Sequence, residues 1–104
     1  MFATIRRYES VDASRTSELI KKVDEGLAPK LGELPGFGGY YVVDAGDGIL
    51  TSIGVFDSAE HAEESTHVAA NWLREEQLDK VLPNPPKITS GEVVVEKTAE
   101  LVQA

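Results

Sequence analysis

The sequence predicts an α+β domain of ferredoxin-like plan, in which strands and helices follow the order β-α-β-β-α-β and form a four-stranded antiparallel sheet with both helices on one face. Three observations predict it. Two stretches have the apolar period of amphipathic helices. Between them lie two apolar runs joined by Asp44-Ala45-Gly46-Asp47-Gly48, a hairpin signal. A last apolar segment follows the proline cluster Pro83-Asn84-Pro85-Pro86, which cannot itself be regular structure. The whole of 1–104 reads as a single domain, because a chain of 104 residues supports one modest core.

The first strand covers about residues 2–8. It ends in the polar turn Glu9-Ser10-Val11-Asp12, where Ser10 or Asp12 is placed to cap a helix. That helix, about 12–28, carries Leu19, Ile20, Val23 and Leu27 on one arc and Glu18, Lys21, Lys22 and Glu25 on the other. Gly26 and Pro29 disturb its end, which leaves either a kinked last turn or a second short helix up to Leu34. Leu34-Pro35-Gly36-Phe37 then reads as a tight turn into the second strand, about 37–44. The third strand covers about 48–56.

Both hairpin strands are apolar on both faces. By strict alternation Phe37, Tyr41 and Val43 point one way and Tyr40 and Val42 the other, while Ile49, Ile53 and Val55 oppose Leu50 and Phe56. The helices have one apolar side each, so they cover one face only. The second face requires a partner, and the expected partner is another copy of this chain.

Asp57-Ser58-Ala59-Glu60 starts the second helix, about 58–82, with a capping-box-like pattern. Ala59, Ala62, Thr66, Ala69, Ala70 and Leu73 share its apolar arc, flanked by His61, Ser65, Val68 and Trp72. The small residues leave room for a ligand or let the helix approach the sheet closely. Trp72 and Ser65 are therefore candidate pocket residues, with Tyr41 from the sheet, and His61 is a candidate base. Equally, Trp72 reads as a core anchor and His61 as a boundary residue. His61 and Trp72 stand about 16 Å apart along the axis at ~1.5 Å per residue, so they cannot share one reacting atom. The last strand is expected at about 88–97, around Val93, Val94 and Val95, with the tail from Thr98 an arm or frayed end.

Arg6 and Arg7 are neighbours on a strand and so face opposite ways. One of them either anchors an anionic or phenolate ligand on the helix side or pairs across the ladder with Glu92 or Glu96; the pairing is the expected arrangement. Glu63 and His67 are four apart on the second helix. No third metal ligand lies at a suitable spacing, so no metal is expected.

Composition excludes several classes. There is no cysteine, which removes disulfides, thiolate catalysis and cysteine-held zinc or iron-sulfur sites. A net charge of -8 opposes nucleic acid. No apolar run approaches the ~20 residues of a membrane span, and no secretory leader pattern is seen, so a cytoplasmic location is expected. Nucleotide-loop, zinc-protease and serine-triad motifs are absent from the sequence.

The element order over residues 2–97, Leu34-Pro35-Gly36-Phe37 before the second strand and Phe56-Asp57-Ser58 before the second helix together resemble the dimeric α+β barrel superfamily, and within it the small stand-alone domains similar to antibiotic biosynthesis monooxygenases. The resemblance implies a homodimer joined through its sheet faces. It implies an oxygenase without cofactor, in which a small electron-rich aromatic is deprotonated and reacts directly with oxygen between sheet and helices. The alternative is a non-catalytic small-ligand-binding or dimerisation module. Haem-degrading relatives use an Asn, a Trp and a His; here the aligned Trp position falls near Ser65, and no His follows at the later spacing.

Overall fold

A computed structural model describes residues 1–78, 81, 82 and 84–97. Four strands, β1 (Phe2–Tyr8), β2 (Phe37–Gly46), β3 (Ile49–Phe56) and β4 (Lys87–Glu92), form one antiparallel sheet in the order β2-β3-β1-β4. The helical segments α1 (Thr16–Lys22), α2 (Ala28–Gly32) and α3 (Ala59–Glu75) supply the helical layer. The core lies between these layers and includes Leu19, Leu27, Leu31, Leu50, Phe56, Ala62 and Trp72. This is the predicted ferredoxin-like arrangement. Among the described residues no helix is long and apolar enough to cross a membrane.

Asp12 caps the first helical segment by accepting a hydrogen bond from the Ser14 amide at 3.0 Å. A 3-10 turn, Ala13–Arg15, precedes α1. Between α1 and α2 the backbone widens into a π-helical turn, Val23–Leu27, so that the helical course continues to Gly32 instead of stopping near residue 28. Pro29 accounts for the widening: it has no N–H for the Glu25 carbonyl, and its ring would crowd that carbonyl in a regular helix. Gly26 within the turn lets the backbone lie on Trp72, where an added Cβ would stand 3.1 Å from the indole.

The hairpin turns on Asp47 and Gly48, both at positive φ (53° and 76°), as a two-residue type I′ connection requires. It is shorter than the predicted turn, and β2 runs on to Gly46. A register shift between Phe37 and Gly39 corrects the predicted facing of β2. The extra residue at Gly38 reverses the alternation, so Phe37 shares the helix-side face with Tyr40 and Val42 and packs edge-on against Phe56, ring centres 5.7 Å apart.

Ser58 caps α3 by accepting from the His61 amide at 3.2 Å. This helix ends at Glu75, earlier than predicted, because Gln77 turns to a φ of 55° and redirects the chain to bury Leu78 and Val81. Asp79, Lys80 and Pro83, and with them part of the predicted helix end and proline cluster, lie outside the described residues, as does the predicted tail from Thr98. The last strand is also displaced from its predicted centre. Its ladder runs from Lys87 opposite Arg7 to Glu92 opposite Phe2, and Val93 adds one bond from its amide to the Met1 carbonyl, where β1 ends. Val94 and Val95 continue past the ladder, 87% and 84% exposed.

The second sheet face has no cover among the described elements. Ala3, Ile5, Tyr41, Val43, Ile53 and Val55 share this face by register, with Tyr41 61% exposed. β1 points Thr4, Arg6 and Tyr8 under the helices and Ile5 outward, the reverse of a solvated outer face.

Candidate functional site

Between sheet and helices lies a cavity of about 50 Å³. Its apolar walls come from Leu19 and Ile20 of α1, Val23 and Leu27 of the π turn, Val42 and Leu50 of the sheet, and Ala69 and Leu73 of α3. Its polar lining residues are Arg6, Tyr8, Tyr40, Thr51 and Ser52. Two open clefts flank it. One, about 570 Å³, is bounded by Ser17, Lys21, Asp24 and Ala28 and shares Ile20, Val23, Tyr40 and Val42 with the cavity. The other, about 710 Å³, is bounded by Thr66, Ala70, Arg74, Asn84, Pro85, Pro86 and Ile88 and shares Arg6, Tyr8, Ala69, Leu73 and Leu82. A volume of 50 Å³ holds a few waters. Only the flanking clefts have the volume of a ring-sized molecule, and the larger leads inward past Arg6.

Arg6 is the unusual residue of the site. It is only 7% exposed, and it donates from Nη2 to Thr66 Oγ1. Among the described residues it has no carboxylate partner. This corrects the expected pairing across the ladder. Register places Ile88 opposite Arg6, puts Glu92 opposite Phe2, where it meets the N-terminal ammonium at 3.7 Å, and leaves Glu96 beyond the strand. Arg7 faces outward and pairs with Glu9 at 3.1 Å. Burying a cation away from any anion is costly, which makes Arg6 the least ordinary group of this space.

Burial raises the Tyr8 phenol above its ordinary pKa, with Arg6 opposing. Burial also raises Tyr40; Tyr8 adds to the shift, and Arg6 and Ser52 oppose it. Both phenols are thus neutral at physiological pH and act as hydrogen-bonding groups, not as bases.

The residues singled out from the sequence are not brought together. Tyr41 lies on the outer sheet face, because the Gly38 bulge puts Tyr40 under the helices in its place. Ser65 is buried, but its hydroxyl donates to the Ala62 carbonyl at 2.5 Å, within its own helix. Trp72, 5% exposed, is a core anchor resting on Gly26 and not a cavity wall. The buried stripe of α3 includes Ala62, Ser65 and Trp72, which moves Trp72 from the margin to the centre of that face. His61 is in the first turn of α3 at the surface and borders neither the cavity nor its clefts. Tyr8, Ser52 and Thr66 line the cavity or the cleft at Arg6 without a sequence motif to mark them; facing Arg6 inward along β1 brings Tyr8 with it, and of the two adjacent tyrosines of β2 it is Tyr40 that faces the helices. Among the described residues no three His, Cys, Asp or Glu side chains are grouped to hold a metal ion.

His61 has a structural partner. Its Nδ1 is 2.5 Å from Asp57 Oδ1, beside Gly36 at a φ of 75°. The hydrogen bond that the Asp57 carboxylate accepts from His61 Nδ1–H raises the His61 pKa, with burial opposing, and lowers that of Asp57, again with burial opposing. A raised histidine pKa gives stability that is full below the unfolded-state value and lost as pH rises through the folded one. A lowered carboxyl pKa gives stability lost as pH falls through its folded value. Replacing His61 by Gln should therefore lower the urea midpoint most at mildly acidic pH and leave it unchanged at alkaline pH. The check is a set of unfolding curves across that range.

No family model matches the chain, and no curated protein matches it. Solved structures do. A monooxygenase of Streptomyces coelicolor, ActVA-Orf6, in complex with nanaomycin D, is 19% identical, with a TM-score of 0.68 over 98% of this chain and 92% of that one. The haem-degrader MhuD of Mycobacterium tuberculosis, with two haems bound in its active site, is 20% identical, with a TM-score of 0.71 over 94% and 100%. A dimeric ferredoxin-like protein from an uncultured marine organism is 15% identical, with a TM-score of 0.65 over 94% and 97%. At these identities the likeness is one of fold alone: the chain has the ferredoxin-like α+β fold that these solved structures share.

Proposed function

We propose that this protein is a homodimeric oxygenase that acts on a small electron-rich aromatic without a cofactor, each protomer holding its substrate in the cleft that leads past Arg6 to the inner cavity. The observation that carries the reading is the buried Arg6, which has no carboxylate partner among the described residues and lines, with Tyr8 and Tyr40, a mostly apolar space between sheet and helices. The fold shared with a monooxygenase supports it. The uncovered outer face and the dimeric neighbour support the homodimer.

In this reading a phenol or anthrone ionises in the cleft and its proton leaves to solvent, since Tyr8 and Tyr40 are held neutral. The neutral Tyr8 and Tyr40 hydroxyls are the donors offered to the resulting anion, and Arg6 holds the substrate in the cleft. The anion gives electrons to dioxygen. For an anthrone, the methylene carbon loses two hydrogens and gains one oxygen atom as a carbonyl, and the second oxygen leaves as water.

Haem fits this chain poorly. Its iron needs an axial ligand, yet among the described residues neither His61 nor His67 borders the cavity or its clefts, and burial keeps the two tyrosines neutral. A binding module without catalysis is favoured by one observation: no carboxylate or imidazole lines the inner cavity among the described residues. An oxygen electrode separates the two. With a panel of hydroxyanthrones and quinols, uptake should scale with protein, saturate in substrate, and fall by about ten-fold or more in Arg6→Gln. No uptake above the buffer rate across the panel would leave only the binding module.

A further inference from the structure

We propose that the molecule taken up beside Arg6 carries a carboxylate: a ring-sized, apolar monoacid whose acid group pairs with the Arg6 guanidinium and whose body lies along Ala69, Leu73 and Pro86. The inference rests on the ligand site of the preceding section and names what that site selects.

Charge distribution is the first support. The chain carries 18 acidic and 10 basic residues, yet the cleft that opens at Arg6 has two arginines and, among its described lining residues, no Asp or Glu. The opposite cleft is mixed, with both Lys21 and Asp24. In a protein of net charge -8, a cleft with no carboxylate among its described lining residues is where an anion meets less repulsion.

Donor chemistry is the second. The guanidinium offers five N–H groups in a planar fork, and the hydrogen bond from Nη2 to the Thr66 hydroxyl neutralises none of its charge. A carboxylate matches that fork and cancels one charge with one charge. A phosphate dianion would remain half-compensated at the buried position. Arg74 stands at the rim, exposed, its Nη2 donating to Asn71 Oδ1 at 2.6 Å, where it meets the acid before the deeper site does. Apart from Tyr8 and Asn84, the remaining described wall is methyl, methylene and proline surface, which suits a hydrocarbon ring.

The test uses two probes of one shape, 2-naphthoate and 2-naphthamide, in calorimetric titrations of the full chain at neutral pH. Naphthoate should bind the wild type at least about ten-fold more tightly, the range of a charge-assisted pair over a neutral hydrogen bond. Arg6→Gln should erase that preference, Arg6→Lys should keep part of it, and Arg74→Gln should weaken naphthoate a few-fold while leaving naphthamide unchanged. Equal binding of the two probes to the wild type, or binding of neither, overturns the inference without recourse to any variant. So does a preference that survives in Arg6→Gln. Selective naphthoate binding in a protein that consumes no oxygen sustains the inference and removes the oxygenase reading. Oxidation of neutral quinols as fast as of acid-bearing ones does the converse.

Discussion

Ile53→Asp should convert the protein from a dimer to a folded monomer. Ile53 sits at the centre of β3 on the outer sheet face, in a row that register runs from Thr89 through Ile5 and Ile53 to Tyr41. Val43 and Val55 share the face, and no described element of the chain covers it. A second copy packed face to face would enclose the row. Two aspartates would then enter a dry interface without partners, at several kcal/mol per ion, which weakens association by about a thousand-fold or more. Within the protomer the side chain points away from the core, so circular dichroism should be unchanged. Light scattering at micromolar concentration should read twice 11.3 kDa for the wild type and 11.3 kDa for the variant. A monomeric wild type, or a variant that stays dimeric, would sink the face-to-face arrangement.

Trp72→Ala should cost about 3–5 kcal/mol of stability, the range for deleting a large buried aromatic. The indole fills the space between α3 and the π turn, where Gly26 lets the backbone approach it. A domain of this size commonly has ~5–15 kcal/mol in total, so the variant should be marginal at room temperature. Urea unfolding measures the loss. Trp72→Phe separates the core role from a pocket role: it should lower the midpoint modestly while naphthoate affinity stays within about two-fold, because Trp72 does not line the cavity. A large loss of affinity with little loss of stability would restore Trp72 as a pocket wall.

Apolar periodicity made the order of elements legible, because strand alternation and helical arcs reflect burial directly. Facing within the sheet was legible only where alternation was unbroken. In β3 the predicted split of Ile49, Ile53 and Val55 from Leu50 and Phe56 matches the register. In β2 one inserted residue at Gly38 transferred Phe37 to the other face, and with it the choice between Tyr40 and Tyr41. The Gly38-Gly39 pair was the only local signal. β1 misleads for a chemical reason: hydrophobicity alone would turn Ile5 inward and Arg6 outward, and the protein does the opposite, placing a cation in the cavity between sheet and helices and an isoleucine on its outer face. The valines after β4 read as a strand by propensity, but the described ladder runs only from Lys87 opposite Arg7 to Glu92 opposite Phe2, with one further bond from Val93 to Met1. Propensity does not report where a partner strand runs out.

The ligand space on the helix side of the sheet is best tested by mapping amide shifts during titration with a hydroxyanthrone held under nitrogen, so that the compound is bound without being consumed. Saturable shifts should gather at Arg6, Tyr8, Ala69 and Leu73, with Tyr41, Val43 and Ile53 unmoved. Shifts confined to those three outer-face residues, or none that saturate, would contradict it.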